Sequence, residues 1–161
     1  MKRKKTGFTL IEMIITLALT VIILGIASFV FITGNRVFSD SDVKSTLQIE
    51  GQVIQEKISD IGMQGSGIEN IPTLGDVIKS YNKDGEDRYF KFERNGNELY
   101  IIEYSINDKN EIKFENKQLI SKNTIKFEPI YSDNSAEFNI ELSLKKVNYP
   151  INVKVNFRNK K

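Results

Sequence analysis

The 161-residue chain contains no cysteine and no histidine. Without cysteine there are no disulfides and no thiolate metal sites. Without histidine the commonest general base and the commonest metal ligand are both missing. What remains assembles into no set of nucleophile, base and orienting group, and no glycine-rich phosphate loop is present. The sequence therefore points away from an enzyme and calls for no cofactor and no metal. Proline is scarce, at Pro72, Pro129 and Pro150 only. Charge is missing from one long stretch: Met13 through Asn35 is 23 consecutive residues without any.

Beside that stretch the rest of the chain is polar, rich in Lys, Glu and Asn, and mean hydropathy is negative at −0.31. One membrane anchor with a soluble domain fits this; a multi-span protein does not. The formal charge of +2 is also a local property. Residues 1–7 hold four of the 23 basic residues (Lys2, Arg3, Lys4, Lys5) and no acid, so residues 8–161 carry 19 basic against 21 acidic, a net of −2.

The N-terminus reads M-K-R-K-K-T-G-F-T-L-I-E-M-I-I-T-L-A-L-T-V-I-I-L-G-I-A. A secretory signal accounts for the basic start and for a small-x-small site at Gly25-Ile26-Ala27, but its apolar region runs about 7–15 residues. A plain signal anchor accounts for the length, since about 20 apolar residues span a bilayer. Neither accounts for Glu12, because a carboxylate deep in a membrane helix costs ~2.5–3.5 kcal/mol on insertion scales and less near the interface. A cut between Gly7 and Phe8 does account for it. The basic leader is lost and a new ammonium appears on Phe8, one helical turn from Glu12 on the same face. The two charges can neutralise each other within a chain or between neighbours, and a matched polar pair in an apolar helix interface favours one axial register.

Gly7-Phe8-Thr9-Leu10-Ile11-Glu12, after a short basic leader and before an apolar helix, resembles the class III signal of type IV prepilins and type II secretion pseudopilins. The resemblance covers about residues 1–35. It implies that Gly7 precedes the prepilin peptidase cut, that Phe8 becomes the N-terminus and is N-methylated by the same enzyme, and that the Glu12 carboxylate meets the N-terminal amine of a neighbouring subunit. One departure is that many major pilins carry a proline in this helix, and here there is none. Gly25 is the one helix-weakening residue between Phe8 and Ile32.

Beyond the membrane stretch, Val43, Leu47, Ile54, Ile58 and Ile61 recur at intervals of 4, 7, 4 and 3, a helical stripe that Ile49 and Val53 widen. The spacing predicts that the helix continues to about Gly62, with a bend or restart capped at Ser39-Asp40-Ser41-Asp42, and that M-Q-G-S-G-I-E-N-I-P is a loop. Residues 63–161 read as strands. Asn95-Gly96 signals a hairpin, and the pattern favours a three-residue loop, Asn95 to Asn97, that sets Phe90 and Phe92 beside Ile102 and Tyr100. Short runs follow at Ile112–Phe114, Gln118–Ile120 and Ile125–Glu128. Then come two alternating strands, Phe138/Ile140/Leu142/Leu144 and Ile151/Val153/Val155/Phe157, joined by a turn at K-K-V-N-Y-P. The expected fold is α+β: leader 1–7, transmembrane or filament-core helix 8–34, amphipathic continuation 35–62, and an antiparallel β-sheet head, 63–161, laid on the helix. The element order is similar to that of minor pilins and J-type minor pseudopilins.

Other features read as structural. Leu142–Lys161 carries six basic residues and no acid. In a simple hairpin register, however, Glu141 faces Lys154 and Glu137 faces Arg158, so the stripe is neutralised across strands and nucleic acid is not an expected partner. Asn82–Asp87 clusters acids around Gly85 without the spacing of a calcium loop and reads as a solvated turn. Tyr100 and Tyr104 read as core. The resemblance implies a minor pilin of a type IV pilus. Its partners are then prepilin peptidase, other pilin subunits through the helix, the inner assembly platform, and membrane lipid before assembly. Its place is first the cytoplasmic membrane, with the N-terminus inside and the head outside, and then a surface filament. Alternatives are a minor pseudopilin of a type II secretion or DNA-uptake machine, and a single-pass membrane-anchored binding domain.

Overall fold

The computed structural model of the chain describes residues 7–81, 85–107 and 111–158. Its first element is one helix of 55 residues, α1 (Leu10–Gln64). The chain divides into two units, one ending at Asp42 and one from Val43 onward. As far as Asn35 the helix is apolar all round apart from Glu12, and none of the first unit's described residues is buried. Its 18-residue window of highest hydropathy is long and apolar enough to cross a membrane. The expected restart at Ser39–Asp42 is absent, for α1 continues through those residues.

From Val43 on the helix is amphipathic. Val43, Leu47, Ile54, Ile58 and Ile61 are buried as the spacing requires, and Gly51 and Gly62 share their face. Each side chain so buried contributes roughly 1.5–3 kcal/mol. Ile49 and Val53 do not widen the stripe: they are 61% and 40% exposed, on the other side of the helix. Gly62 does not end the helix either. It lets the backbone approach Val155, whose side chain would lie 2.5–2.8 Å from any Cβ at position 62.

The single sheet expected on the helix is two. β1 (Gly65–Ile71), β2 (Gly75–Tyr81), β3 (Asp87–Asn95), β4 (Glu98–Ile106) and β5 (Ile112–Ser121) form a five-stranded antiparallel sheet in sequential order. β6 (Thr124–Ser132), β7 (Ser135–Leu144) and β8 (Val147–Asn156) form a three-stranded one. The stretch expected as a loop after the helix is β1 and the start of a tight hairpin, because Gly75 at φ 78 closes its turn. The short runs after β4 merge into β5 and β6.

The β3–β4 register also differs from expectation. Asn95 pairs with Glu98, leaving a two-residue loop with Gly96 at φ 60, and Phe92 faces Ile101 instead of Tyr100. Tyr100, Ile101 and Ile102 are apolar on both faces, so alternation does not choose between registers one residue apart. Phe92, Leu99 and Ile101 join the main core with the helix stripe, Ile78, Phe138 and the β8 valines. Ile71, Val77 and Tyr89 form a second, smaller cluster with partly buried Tyr104 against it.

In the β7–β8 hairpin the turn is Lys145-Lys146 alone, both with positive φ (48° and 70°), and Val147–Pro150 belong to the strand. The register is therefore four residues from the one expected: Glu137 faces Lys154 and Glu141 faces Pro150.

Polar contacts tie the head together where the two sheets meet. The half-buried Glu50 of α1 accepts hydrogen bonds from the Lys122 amide (2.8 Å) and the Asn123 side-chain amide (2.7 Å). Thr124 donates its amide to Asn97 O at 2.9 Å, and Ser143 donates to Asn123 O at 2.8 Å. Arg94 donates to the carbonyls of Thr124 and Ile125.

The free edges are blunted. β5 carries both of its bulges, at Glu115 and Ile120, together with Lys113 and Lys117. β1 is short and irregular near Gly65–Gly67. β6 and β8, the edges of the smaller sheet, hold Pro129 and Pro150.

Candidate processing and assembly site

The N-terminal end of α1 is built as a capping box. Thr9 precedes the first helical residue, and its backbone carbonyl accepts the Met13 amide at 3.2 Å. Its hydroxyl oxygen accepts the Glu12 amide at 3.3 Å, and Glu12 Oε2 takes the Thr9 amide at 2.8 Å and the Thr9 hydroxyl at 2.9 Å. The signal for this was in the sequence as T-x-x-E, but Thr9 was not among the expected site residues. The box fixes the Glu12 rotamer and leaves Oε1 without a hydrogen-bond partner among the described residues.

Phe8 lies just outside the helix and is 83% exposed. Gly7 has nothing within 4 Å of a would-be Cβ and no positive φ, so neither space nor backbone conformation in the folded chain explains a glycine there. Thr16, Thr20 and Ser28 donate their hydroxyls back to Met13, Thr16 and Leu24 carbonyls at 3.0, 2.7 and 2.8 Å. Those polar groups are satisfied within the helix and suit hydrocarbon. From Phe8 to Asn35 the one ionisable side chain is Glu12.

The other candidates have local roles. Tyr100 and Tyr104 are half-buried on the sheet face opposite Phe92, not in the main core. Tyr100 donates to Glu98, and the Lys117 ammonium sits 4.1 Å over its ring. Of the acidic run at 82–87, residues 82–84 lie outside the described residues. Asp87 pairs with Lys79 at 2.8 Å and accepts the Tyr89 hydroxyl at 3.2 Å. Burial pushes the Lys79 ammonium down, but its hydrogen bond to Asp87, together with the nearby Tyr89 and Glu69, outweighs burial and raises it above the ordinary lysine value. Among the described residues no group of acidic side chains could hold a metal ion.

Residues 2–28 match the family model of the prokaryotic N-terminal methylation motif. No curated protein and no solved structure matches the chain. The motif implies processing by prepilin peptidase and assembly with other pilin subunits. With one apolar N-terminal helix that is long enough to span a bilayer, the chain is membrane-anchored. It carries the class III signal of the type IV pilin and pseudopilin family.

Proposed function

We propose that this protein is a minor pilin of a type IV pilus. Prepilin peptidase cuts between Gly7 and Phe8 on the cytoplasmic side and methylates the Phe8 amine, and the mature subunit enters a filament through α1 with its head outward. The observation that carries this is the half-satisfied Glu12 carboxylate. Thr9 holds Oε2 and fixes the side chain, while Oε1, one turn from Phe8, is open to an ammonium. Gly7 supports the cut, since its lack of a side chain has no cause in the fold and suits a scissile bond that must enter an active site. The chain before cutting puts no charge partner for Glu12 between Phe8 and Asn35. Cleavage supplies one.

Support for a minor rather than a major subunit is the order of elements, a long proline-free helix followed by hairpins and ending in the long β7–β8 hairpin. The same order supports a second reading, a minor pseudopilin of a secretion or DNA-uptake machine. Intact mass and N-terminal sequencing, from cells with and without a prepilin peptidase, test the first step. The expected mature chain starts at methylated Phe8, and an uncut chain in peptidase-positive cells overturns the proposal. Recovery in sheared surface filaments separates pilus from pseudopilus.

A further inference from the structure

The ion pairs Lys79–Glu69, Lys79–Asp87, Arg88–Glu103, Lys91–Glu93, Lys113–Glu115 and Lys126–Glu128 belong to strands β1 to β6. Two other surfaces of the head, one on α1 and one at the β7–β8 turn, each carry a pair of like charges outside any such bridge. On α1, Ile49, Val53, Glu56 and Asp60 recur at i, i+4, i+7 and i+11, one exposed stripe whose Asp60 end borders a groove lined by Arg88 and Glu103 of the larger sheet. Glu56 and Asp60 have no ion pair or hydrogen bond among the described residues. Lys57, at the margin of the stripe, forms no ion pair with either. At the tip of the β7–β8 hairpin Lys145 and Lys146 are exposed and equally unpaired. Both hold positive φ, at 48° and 70°, where Asn-Gly is the favoured pair. A costly conformation given to two lysines points to a use for their charge.

The tip and the stripe cannot meet within one chain. Gly51 of α1 lies against Tyr149 and Ile151, and Gly62 against Val155, so β8 runs along the helix in the same direction. The tip precedes Tyr149 and lies toward Val43, whereas Glu56 and Asp60 lie toward Gln64. At about 1.5 Å per helical residue and about 3.3 Å per strand residue, Lys146 and Asp60 are separated by roughly 20–25 Å along the helix. That is well beyond the screening length of about 8 Å at physiological salt.

We propose that the α1 stripe of one copy receives the Lys145-Lys146 tip of a second copy. The lysine stems would cover Ile49 and Val53 while their ammonium groups reach Glu56 and Asp60. The two surfaces differ, and the acids of the stripe lie at the far end of the head from the tip, so the contact is heterologous: each copy offers a tip to one neighbour and a stripe to the next, and an open array results where the rotation between copies closes no ring. It rests on the filament assignment above, and adds that a copy can follow a copy.

The absence of cysteine makes the test direct. In full-length protein in its own membrane, Asp60→Cys with Lys146→Cys in one chain is expected to give, on oxidation, a disulfide ladder extending beyond dimers, while each single variant gives dimers at most. Glu56→Lys with Asp60→Lys, probed with cysteines at Val53 and Val147, should reduce the ladder at least tenfold, and adding Lys145→Glu with Lys146→Glu should restore it. Only dimers from the double-cysteine chain, cross-links to a different protein, or loss without restoration (the result expected if the lysines meet anionic lipid) each overturn the inference. Intact mass of the same samples reads the Gly7–Phe8 cut. A cut chain without a ladder refutes the contact alone, whereas an uncut chain refutes the filament assignment.

Discussion

Gly62 of α1 and Val155 of β8 touch backbone to side chain: a Cβ at position 62 would stand 2.5 Å from the Cβ of Val155. Alanine is better than glycine in a helix by about 1 kcal/mol, but overpacking a closed core costs about 1–3 kcal/mol. With the valine branch fixed in a strand, overpacking wins. Gly62→Ala is expected to destabilise the head by up to about 2 kcal/mol, read as a lower thermal midpoint by circular dichroism of the detergent-solubilised chain. An unchanged or higher midpoint would show that β8 yields at this point.

Glu12→Leu separates insertion from assembly. Removing a carboxylate that opposes insertion by up to ~2.5–3.5 kcal/mol should leave membrane integration intact or improved. Incorporation into filaments should fall sharply, since the Phe8 ammonium loses its counter-charge. Fractionation followed by quantification in sheared filaments checks both, and wild-type incorporation would remove the pairing from the mechanism.

Glu50 gives the head an acid limit. Burial pushes its pKa up, but hydrogen bonds from the Asn123 and Ser121 side chains and the Lys122 and Asn123 amides outweigh this and hold the carboxyl below its ordinary value. A depressed folded-state value means that the stabilisation is fully present above the unfolded-state value and is lost as pH falls through the folded one. The window therefore lies below the ordinary glutamate value of 4.5. Hydrogen bonds to a charged group contribute about 1.5–3 kcal/mol, and the half-exposed setting screens this to about 1 kcal/mol. Glu50→Gln should cost about that much at pH 7 and less at pH 3 in urea titrations. An equal loss at both values would assign the effect to packing instead.

The Lys145-Lys146 turn carries an opposite expectation. Non-glycine residues in the left-handed region cost roughly 1–2 kcal/mol each. Lys145→Asn with Lys146→Gly suits a two-residue turn with positive φ at both positions. The pair should raise the stability of the head by about 1–2 kcal/mol in the same urea titration, and no gain would mean that the lysines are unstrained.

What was legible in the sequence follows from what carries a local signal. The helix stripe at Val43, Leu47, Ile54, Ile58 and Ile61 was readable because one periodic face meets one core. Ile49 and Val53 misled because composition does not say which side of a helix is covered. The strand registers were lost at two places for two reasons. Tyr100-Ile101-Ile102 has no wet face, and Lys145-Lys146 does not look like a tight turn, since the usual residues for that geometry are absent. The Glu50–Asn123 contact joins residues 73 apart, and nothing local to either announces it. Thr9, by contrast, was announced by T-x-x-E and passed over because Glu12 drew its partner from Phe8.

The blunted strand edges bear on how subunits come apart. Pro129, Pro150, the bulges of β5 and its lysines deny a neighbouring chain an open backbone to copy. Heads crowded side by side therefore do not seed cross-β stacking, which is close to irreversible. What joins them is left to side chains and to an apolar helix that lipid solvates equally well. Under the proposed filament assignment, a subunit leaving the assembly would re-enter the bilayer with its head still folded.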